Sequence, residues 1–328
     1  MARSHRATWS DLSPTWKRML RDAEGLPREP GPRDLATLFA TPTLSLQLPA
    51  RSRRLDLAPL RHFRALEALD LSEGIDLDTL PVLPKLTSLS VHAPSMPDDL
   101  GARVPALESM TLVPMARHAR ALRGIQATSV EVIAGDGMNL AVLAQMPRLR
   151  TLVMSDGPPE QVPQLAAFGH LTELDLRYTK LTDLTPLAAL VGLHTLGLAC
   201  TEVSDLGPLA GLTGLRSLSL FACKAVDDLA PLAGLHALRT LDLTSTAVRD
   251  LAPIAALAGL ETLRLDDTKI TTLDALRGLA SLTELGAPST AVRRLDPLAS
   301  LTRLVRSTSA RRRCATPGRC TRSHGSAR

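Results

Sequence analysis

The side chains best suited to chemistry in this chain are a few aromatic and charged residues, and the chemistry they predict is recognition. Tyr178 is the only tyrosine and Phe221 is one of four phenylalanines. An aromatic ring on a polar surface is a frequent anchor for a binding partner. A guanidinium such as that of Arg177 or Arg264 can pair with a partner's carboxylate through two parallel hydrogen bonds. The candidate partner-binding residues are Asp175, Arg177, Tyr178, Ser219, Phe221, Asp242, Thr244, Arg264 and Asp266.

Catalytic and metal-binding patterns are missing from the sequence. It contains no GxSxG, P-loop, HExxH or GxGxxG motif in a fitting context. Three of the eight histidines, His170, His194 and His236, are predicted on convex-side turns as surface residues. Four cysteines are too few for a disulfide scaffold, and Cys314 and Cys320 lack clustered histidines. We therefore predict no enzyme, no cofactor, no metal and no small-molecule substrate.

A repeat positions the candidate residues. The frame L-x-x-L-x-L-x-x-[T/C]-x-φ, where φ is apolar, recurs every 22 or 23 residues from Leu171 to Leu282. This period and leucine spacing are typical of a leucine-rich-repeat solenoid, an α/β repeat fold. Its stacked coils form a parallel β-sheet on the concave face and short 3₁₀ or helical turns on the convex face. The candidate residues occupy polar positions of the frame, which predicts that they share the concave face.

Each unit carries its own strand and turn signals. Leu174 and Leu176 alternate with polar residues, as in a strand with one buried face. Leucines every three residues, from Leu187 to Leu193, favour a 3₁₀ turn. Asp183 can cap that turn, and Pro186 fits its first residues. The same pairing recurs at Asp205 and Pro208, Asp228 and Pro231, and Asp250 and Pro253.

Units such as LTELDLRYTKLTDLTPLAALVG and LRTLDLTSTAVRDLAPIAALAG resemble the 22-residue leucine-rich repeats of bacterial internalins. The resemblance implies a curved solenoid and a protein-binding role. The chain departs from that family at the ladder position, where Asn is usual. We expect the hydroxyl groups there to bond the backbone of the neighbouring coil. The ladder residues are Thr179, Thr201, Cys223, Thr246, Thr268 and Thr290.

Domain boundaries follow from the quality of the repeat. Residues 41–305 form the solenoid, with degenerate repeats at 41–170 and regular ones at 171–305, in eleven or twelve coils. Residues 1–40 are predicted to form a helical cap, with a partner-docking helix as the alternative. Residues 306–328 are predicted to be a basic disordered tail. A truncated or frame-altered reading would also give such an abrupt change.

Charge is distributed unevenly along the chain. The net charge is +5, but residues 302–328 carry eight arginines and no acidic residue, and residues 1–64 carry twelve basic and six acidic residues. Residues 65–301 therefore have a net charge of −9. The tail offers an alternative function, binding nucleic acid or an anionic surface. It lacks aromatic residues to stack bases, so nucleic acid is the less favoured partner.

The main prediction is a non-enzymatic protein-protein interaction scaffold that binds a protein partner on its concave face. The first residues show no apolar signal segment, and no run of 18 apolar residues could span a membrane. We therefore predict a cytoplasmic location. Export as an effector stays open.

Overall fold

The computed structural model describes residues 9–47, 55–71, 75, 77–93, 95–134 and 138–309. Within these residues one parallel sheet holds thirteen strands in chain order. It is the concave face of an open leucine-rich-repeat solenoid, as predicted. The strands are β1 (Thr43–Leu46), β2 (Ala68–Leu71), β3 (Ser88–Val91), β4 (Ser109–Leu112), β5 (Ser129–Val132), β6 (Thr151–Val153), β7 (Glu173–Asp175), β8 (Thr195–Gly197), β9 (Ser217–Ser219), β10 (Thr240–Asp242), β11 (Thr262–Arg264), β12 (Glu284–Ala287) and β13 (Arg306–Ser309).

Two α-helices precede the first strand, and short helical segments complete the later coils on the convex side. The α-helices are α1 (Pro14–Glu24), α2 (Pro32–Phe39), α3 (Leu100–Arg103) and α4 (Ala119–Arg123). The 3₁₀ segments are Ala58–His62, Ala116–His118, Leu140–Gln145, Pro159–Ala167, Thr185–Ala189, Gly207–Leu209, Ala230–Leu232, Ala252–Ile254, Asp274–Gly278 and Asp296–Ser300. The tight turns predicted from the three-residue leucine spacing are confirmed.

The core is a column of leucines that continues from coil to coil. In the seventh coil Leu171, Leu176, Leu187 and Leu190 are fully buried. The inward strand leucines stand in register, with Leu196 of β8 between Leu174 and Leu218. One coil cannot bury its leucines alone, so the coils are stable only as a stack.

Aspartates begin the 3₁₀ segments of the regular coils, as predicted. Asp183 accepts a hydrogen bond from the backbone N–H of Thr185 at 2.8 Å, and Asp228 accepts one from Ala230 at 2.8 Å. Each bond satisfies a backbone donor that has no partner within the short turn. The proline that follows has no N–H to satisfy.

The ladder threonines bond within their own coil, so the predicted bond to the neighbouring coil was wrong for them. The hydroxyl of Thr179 donates to Leu176 O at 2.7 Å, and Thr246 does the same to Leu243 O. A threonine side chain is too short to reach past its own turn, whereas asparagine is longer. The exception is Cys223, whose Sγ lies 3.0 Å from Leu198 O in the preceding coil.

One residue in each regular coil, directly before the ladder position, has a left-handed backbone conformation. Its φ lies between 54° and 62°. This conformation costs roughly 1–2 kcal/mol for a residue with a Cβ atom. It directs the N–H to the next coil, as in the bond from Tyr178 N to Ala199 O at 2.9 Å. The residues are Tyr178, Cys200, Ala222, Ser245, Asp267 and Ser289, and Asp156 in the preceding coil has the same conformation.

Helix α1 covers the first coil. Ser13 caps it by accepting a bond from Trp16 N, and Pro14 is its first residue, so the helix begins after the serine. Trp16 is buried and its Nε1 donates to Asp56 O at 2.7 Å, which ties the helix to the solenoid. The exposed end of the leucine column is therefore shielded from water.

The last strand corrects two predictions. β13 pairs with β12 inside the segment 306–328 that was predicted to be disordered, because parallel pairing of the backbone needs no apolar side chain. The thirteen described strands also exceed the eleven or twelve predicted coils.

Candidate binding surface on the concave face

The outward side chains of β7 to β12 form the surface on which the nine candidate residues lie. The strand candidates Asp175, Ser219, Asp242 and Arg264 alternate with fully buried leucines. The other five lie within three residues after a strand. Eight of the nine candidates form two groups, one at β7 and one that runs from Phe221, after β9, to Asp266, after β11, and Ser219 lies on β9 between the groups.

The group at β7 is an ion pair beside an aromatic ring. Asp175 accepts bonds from the backbone N–H and the guanidinium of Arg177, with Nε 2.7 Å from Oδ2. The hydrogen bond to Asp175 raises the pKa of Arg177. Gly197 on β8 leaves room for this carboxylate, because a Cβ there would lie 2.8 Å from its Oδ1. Tyr178 is 58% exposed next to this pair.

The second group surrounds a pocket of about 400 Å³. Phe221, 42% exposed as predicted, stands at one side. The carboxylate of Asp242 accepts a bond from Thr244 N at 2.9 Å and lies 3.9 Å from the guanidinium of Arg264 on the next strand. Thr244 Oγ1 donates to Asp266 at 3.2 Å. The pocket thus combines an apolar ring with carboxylates whose positions are fixed by hydrogen bonds.

Several pocket residues were missed in the sequence. Glu284 and Arg306 form an ion pair of 3.5 Å at the pocket rim. Gly286 provides the space for Asp266, because a Cβ there would lie 2.9 Å from its Oδ2. The signal was present, since Glu284 and Gly286 occupy the outward positions of the next repeat.

A larger cavity, about 710 Å³, lies between helix α1 and strands β1 to β3. It is lined by Arg18 and Asp22 of the helix and by Ser45 and Asp70 of the sheet, among others. Its polar groups already bond one another, with Ser45 Oγ 2.9 Å from Asp70 Oδ2 and Arg18 3.7 Å from Asp22. The sequence could not reveal it, because it depends on where α1 docks.

Reactive groups are few in the described part of the chain. Burial raises the pKa of the Cys223 thiol, which is fully buried and contacts Thr201 Oγ1 at 3.3 Å. A raised pKa leaves the thiol protonated and unreactive. The described residues hold no group of three or more metal-ligating side chains. None of their helices is long and apolar enough to traverse a lipid bilayer.

The fold and this surface define a leucine-rich-repeat solenoid with an open concave face. Internalin C2 of Listeria monocytogenes is 31% identical to this chain, with a TM-score of 0.53 over 58% of this chain and 83% of that chain. Another Listeria monocytogenes internalin, inlF, is 19% identical, with a TM-score of 0.62 over 94% of both chains. A leucine-rich-repeat protein of Leptospira interrogans is 18% identical, with a TM-score of 0.54 over 79% of this chain and 74% of that chain.

The chain belongs to the leucine-rich-repeat proteins of the internalin type, on the strength of its identity to internalin C2. No protein-family model matches it, and no curated protein matches it in sequence. The family resemblance drawn from the repeats is confirmed.

Proposed function

We propose that this protein is a non-enzymatic scaffold that holds a protein partner against the concave face of strands β7 to β12. The pocket at Phe221 carries the proposal. An exposed aromatic ring beside a preorganised Asp242–Arg264 pair resembles the anchor sites that dominate protein interfaces. Because hydrogen bonds hold the carboxylates in place, a partner meets them without an ordering cost.

The two groups of candidate residues suit one partner. β7 and β11 are four strands apart, which is about 19 Å at the usual strand spacing. An interface of ordinary size, about 800 Å² on each partner, covers that distance. A partner seated on the pocket can therefore also contact Tyr178 and the Asp175–Arg177 pair.

The proposal assigns no catalysis to this surface. Its charged groups are engaged with one another, and the buried thiol of Cys223 is held protonated. We also propose that the encounter with the partner takes place in the cytoplasm. Fractionation of the native cells with antibodies against the chain tests this location.

Nucleic acid is the alternative partner class. Residues 310–328 of the proposed basic tail lie outside the described residues. A TLR13–ssRNA13 complex shares the fold at 19% identity, with a TM-score of 0.56 over 83% of this chain and 48% of that chain. Because the solenoid reaches Ser309, deletion of residues 310–328 tests the tail without removing β13. RNA binding that disappears with this deletion, while protein capture persists, separates the two functions.

The test of the scaffold is affinity capture by the full chain and two triple variants. One is Tyr178→Ala/Phe221→Ala/Arg264→Ala on the concave face. The control, Val82→Ala/Leu295→Ala/Arg249→Ala, also removes two exposed apolar side chains and one arginine, but elsewhere. Circular dichroism checks that all three proteins are folded. We expect a captured protein to be lost only with the concave variant; equal capture by both variants contradicts the proposal.

A further inference from the structure

A row of side chains runs across the coils just before the strands begin. The backbone N–H of Arg239 bonds Arg216 O at 2.7 Å, that of Arg216 bonds His194 O at 2.8 Å, and that of His194 bonds Thr172 O at 2.8 Å. Thr172 in turn bonds Arg150 O at 2.8 Å. These bonds place five residues in one line, about 4.8 Å apart.

The segments that contain this row carry basic residues and no acidic ones. We name residues 146–150, 168–172, 190–194, 212–216 and 235–239 the leading edge. They hold four arginines and three histidines but no aspartate or glutamate. The solenoid body from 65 to 301 has a net charge of −9, whereas the leading edge within it is positively charged. Its basic residues are Arg148, Arg150, His170, His194, Arg216, His236 and Arg239.

Three of the four arginines have no acidic partner among the described residues. Arg148, Arg150 and Arg216 are exposed and form no ion pair there, and Arg239 reaches Glu261 at 3.7 Å only at the far end of the row. Glu173, next to Thr172, instead accepts a bond from Thr151. Burial lowers the pKa of His170, and the nearby charge of Arg150 lowers it further. Arg216 and Arg239 lie in adjacent coils, where their like charges repel one another, so a bound anion relieves this repulsion.

The surroundings of the row favour one class of anion. Val191, in the middle of the leading edge, is 65% exposed. A peptide offers apolar side chains to such a residue, whereas a phosphate backbone does not. The only phenylalanine, tyrosine or tryptophan in these segments, Phe168, is fully buried and cannot stack on a base. Carboxylates also match the planar fork of a guanidinium.

We propose that the leading edge binds an acidic polypeptide segment that contains an apolar residue, with the arginine row on its carboxylates and Val191 on the apolar side chain. The site is distinct from the concave pocket, since its residues precede the strands and those of the pocket lie on and after them. The inference does not rest on the proposed scaffold function. The solenoid would then have a second binding surface, for an acidic segment, in addition to the concave pocket.

One histidine of this edge departs from its predicted position. His170, His194 and His236 were predicted on the convex turns; His170 and His236 do lie in turns, whereas His194 takes part in the backbone ladder that leads into the sheet. The structure therefore turns residues that the sequence left scattered into part of one basic edge.

The test uses the full chain and a glutamate-rich peptide that carries one leucine and a photo-reactive benzophenone group. Cross-links are mapped by mass spectrometry, which separates the leading edge from the Arg-rich residues 303–328. The variant Arg148→Gln/Arg150→Gln/Arg216→Gln removes three positive charges from the edge. The control, Lys224→Gln/Arg249→Gln/Lys269→Gln, removes three exposed positive charges after the strands.

We expect cross-links near Val191, with a yield that falls about tenfold in the leading-edge variant and stays unchanged in the control. Cross-links confined to residues 303–328, or an equal loss in both variants, overturn the proposal. So does stronger competition by a single-stranded oligonucleotide than by an unlabelled peptide of equal charge, since it identifies nucleic acid as the occupant. Absence of any peptide cross-link also contradicts it.

Discussion

The two halves of the solenoid build one sheet by different local means. From Leu152 to Leu285 the inward strand leucines are 22 or 23 residues apart. In the earlier half, from Leu44 to Val130, the corresponding spacings are 25, 20, 21 and 20 residues. The sheet nevertheless passes through both without a break. The inward residues and the backbone ladder, rather than the length of the return segment, therefore determine whether a coil can stack.

The turn after the strand shows the difference most clearly. Strands β1 to β5 have four residues, whereas β7 to β11 have three and are followed by the left-handed residue and the ladder threonine. Among the described residues, the left-handed conformation at a non-glycine residue begins at Asp156. The α-helical return segments α3 and α4 both belong to the earlier half. A fixed turn gives the later half equal coils, and so an evenly spaced outer surface.

That even spacing affects function. In the regular half, outward residues from neighbouring strands meet at constant register, as Asp242 and Arg264 do. The leading edge depends on the same regularity, since its row forms only if each coil presents the same position. Both proposed surfaces accordingly lie largely in the regular coils.

The largest expected effect tests whether the halves share one core. Leu218 on β9 and Leu89 on β3 are both fully buried, one in each half. We expect Leu218→Ala and Leu89→Ala each to lower the free energy of unfolding by about 2–5 kcal/mol, because each leaves a cavity. Urea denaturation followed by circular dichroism measures this. A silent Leu89→Ala would show that the earlier half is not part of the same stack.

The ladder threonine gives the next largest effect. Thr246 is buried and its hydroxyl donates to Leu243 O at 2.7 Å. Thr246→Val should cost about 1–2 kcal/mol, because it removes this bond inside the core. In the earlier half Thr111 bonds only Glu131 at the surface, at 3.4 Å, so Thr111→Val should change stability by less than about 0.5 kcal/mol. Equal costs in the same denaturation assay would refute a special role for the ladder.

The left-handed turn predicts opposite signs for one substitution. Ala222 has φ 58°, so Ala222→Gly should stabilise the protein by about 0.5–1 kcal/mol, because relief of strain exceeds the added freedom of the unfolded chain. Ala144 lies in the 3₁₀ segment Leu140–Gln145, where the same change should destabilise by about 0.5–1 kcal/mol. Thermal unfolding resolves the two signs. A lower Tm for Ala222→Gly would contradict this explanation of the turn.

The smallest effect is a pH dependence of the caps. Hydrogen bonds from Thr185 lower the pKa of Asp183 below its ordinary value. Its contribution to stability is therefore complete above the unfolded pKa of about 3.9 and is lost as the pH falls through the lower folded pKa. The Tm difference between wild type and Asp183→Ala should shrink below about pH 4. Before the regular coils, Asn139 accepts a hydrogen bond from Ala141 N at 3.1 Å, and its amide does not titrate. The Tm difference between wild type and Asn139→Ala should therefore stay the same as the pH falls below about 4.

Much of the architecture could be predicted from the sequence. The leucine period predicted the sheet, the 3₁₀ turns and the exposure of Phe221, because each of these features depends on a local pattern that repeats. The aspartate caps are equally local, because the carboxylate accepts from an N–H two positions further along the chain. The bond of the ladder threonines was predicted wrongly. The side chain of threonine is shorter than that of asparagine, and the repeat pattern does not show which backbone group each can contact.

The surfaces were harder to predict because they depend on neighbours in space. Gly286 and Asp266 are 20 residues apart in sequence, yet the absence of a Cβ on one gives room to the other. The cavity beside α1 depends on the bond from Trp16 to Asp56, which no repeat encodes. Arg150 and Arg239 lie in one row only after the coils stack. The sequence therefore shows where each residue lies within its own repeat, whereas the contacts that form a site arise only when the coils stack.

The central claim is that the concave face of the regular half holds the partner, and a photo-reactive residue tests it most directly. Benzoylphenylalanine is placed at Phe221 in one protein and at Val82, 60% exposed in the earlier half, in another. Both are irradiated in the native cells, and the adducts are compared. We predict a discrete protein adduct from position 221 and none from position 82. The same adduct from both positions, or an adduct from position 82 alone, contradicts the claim.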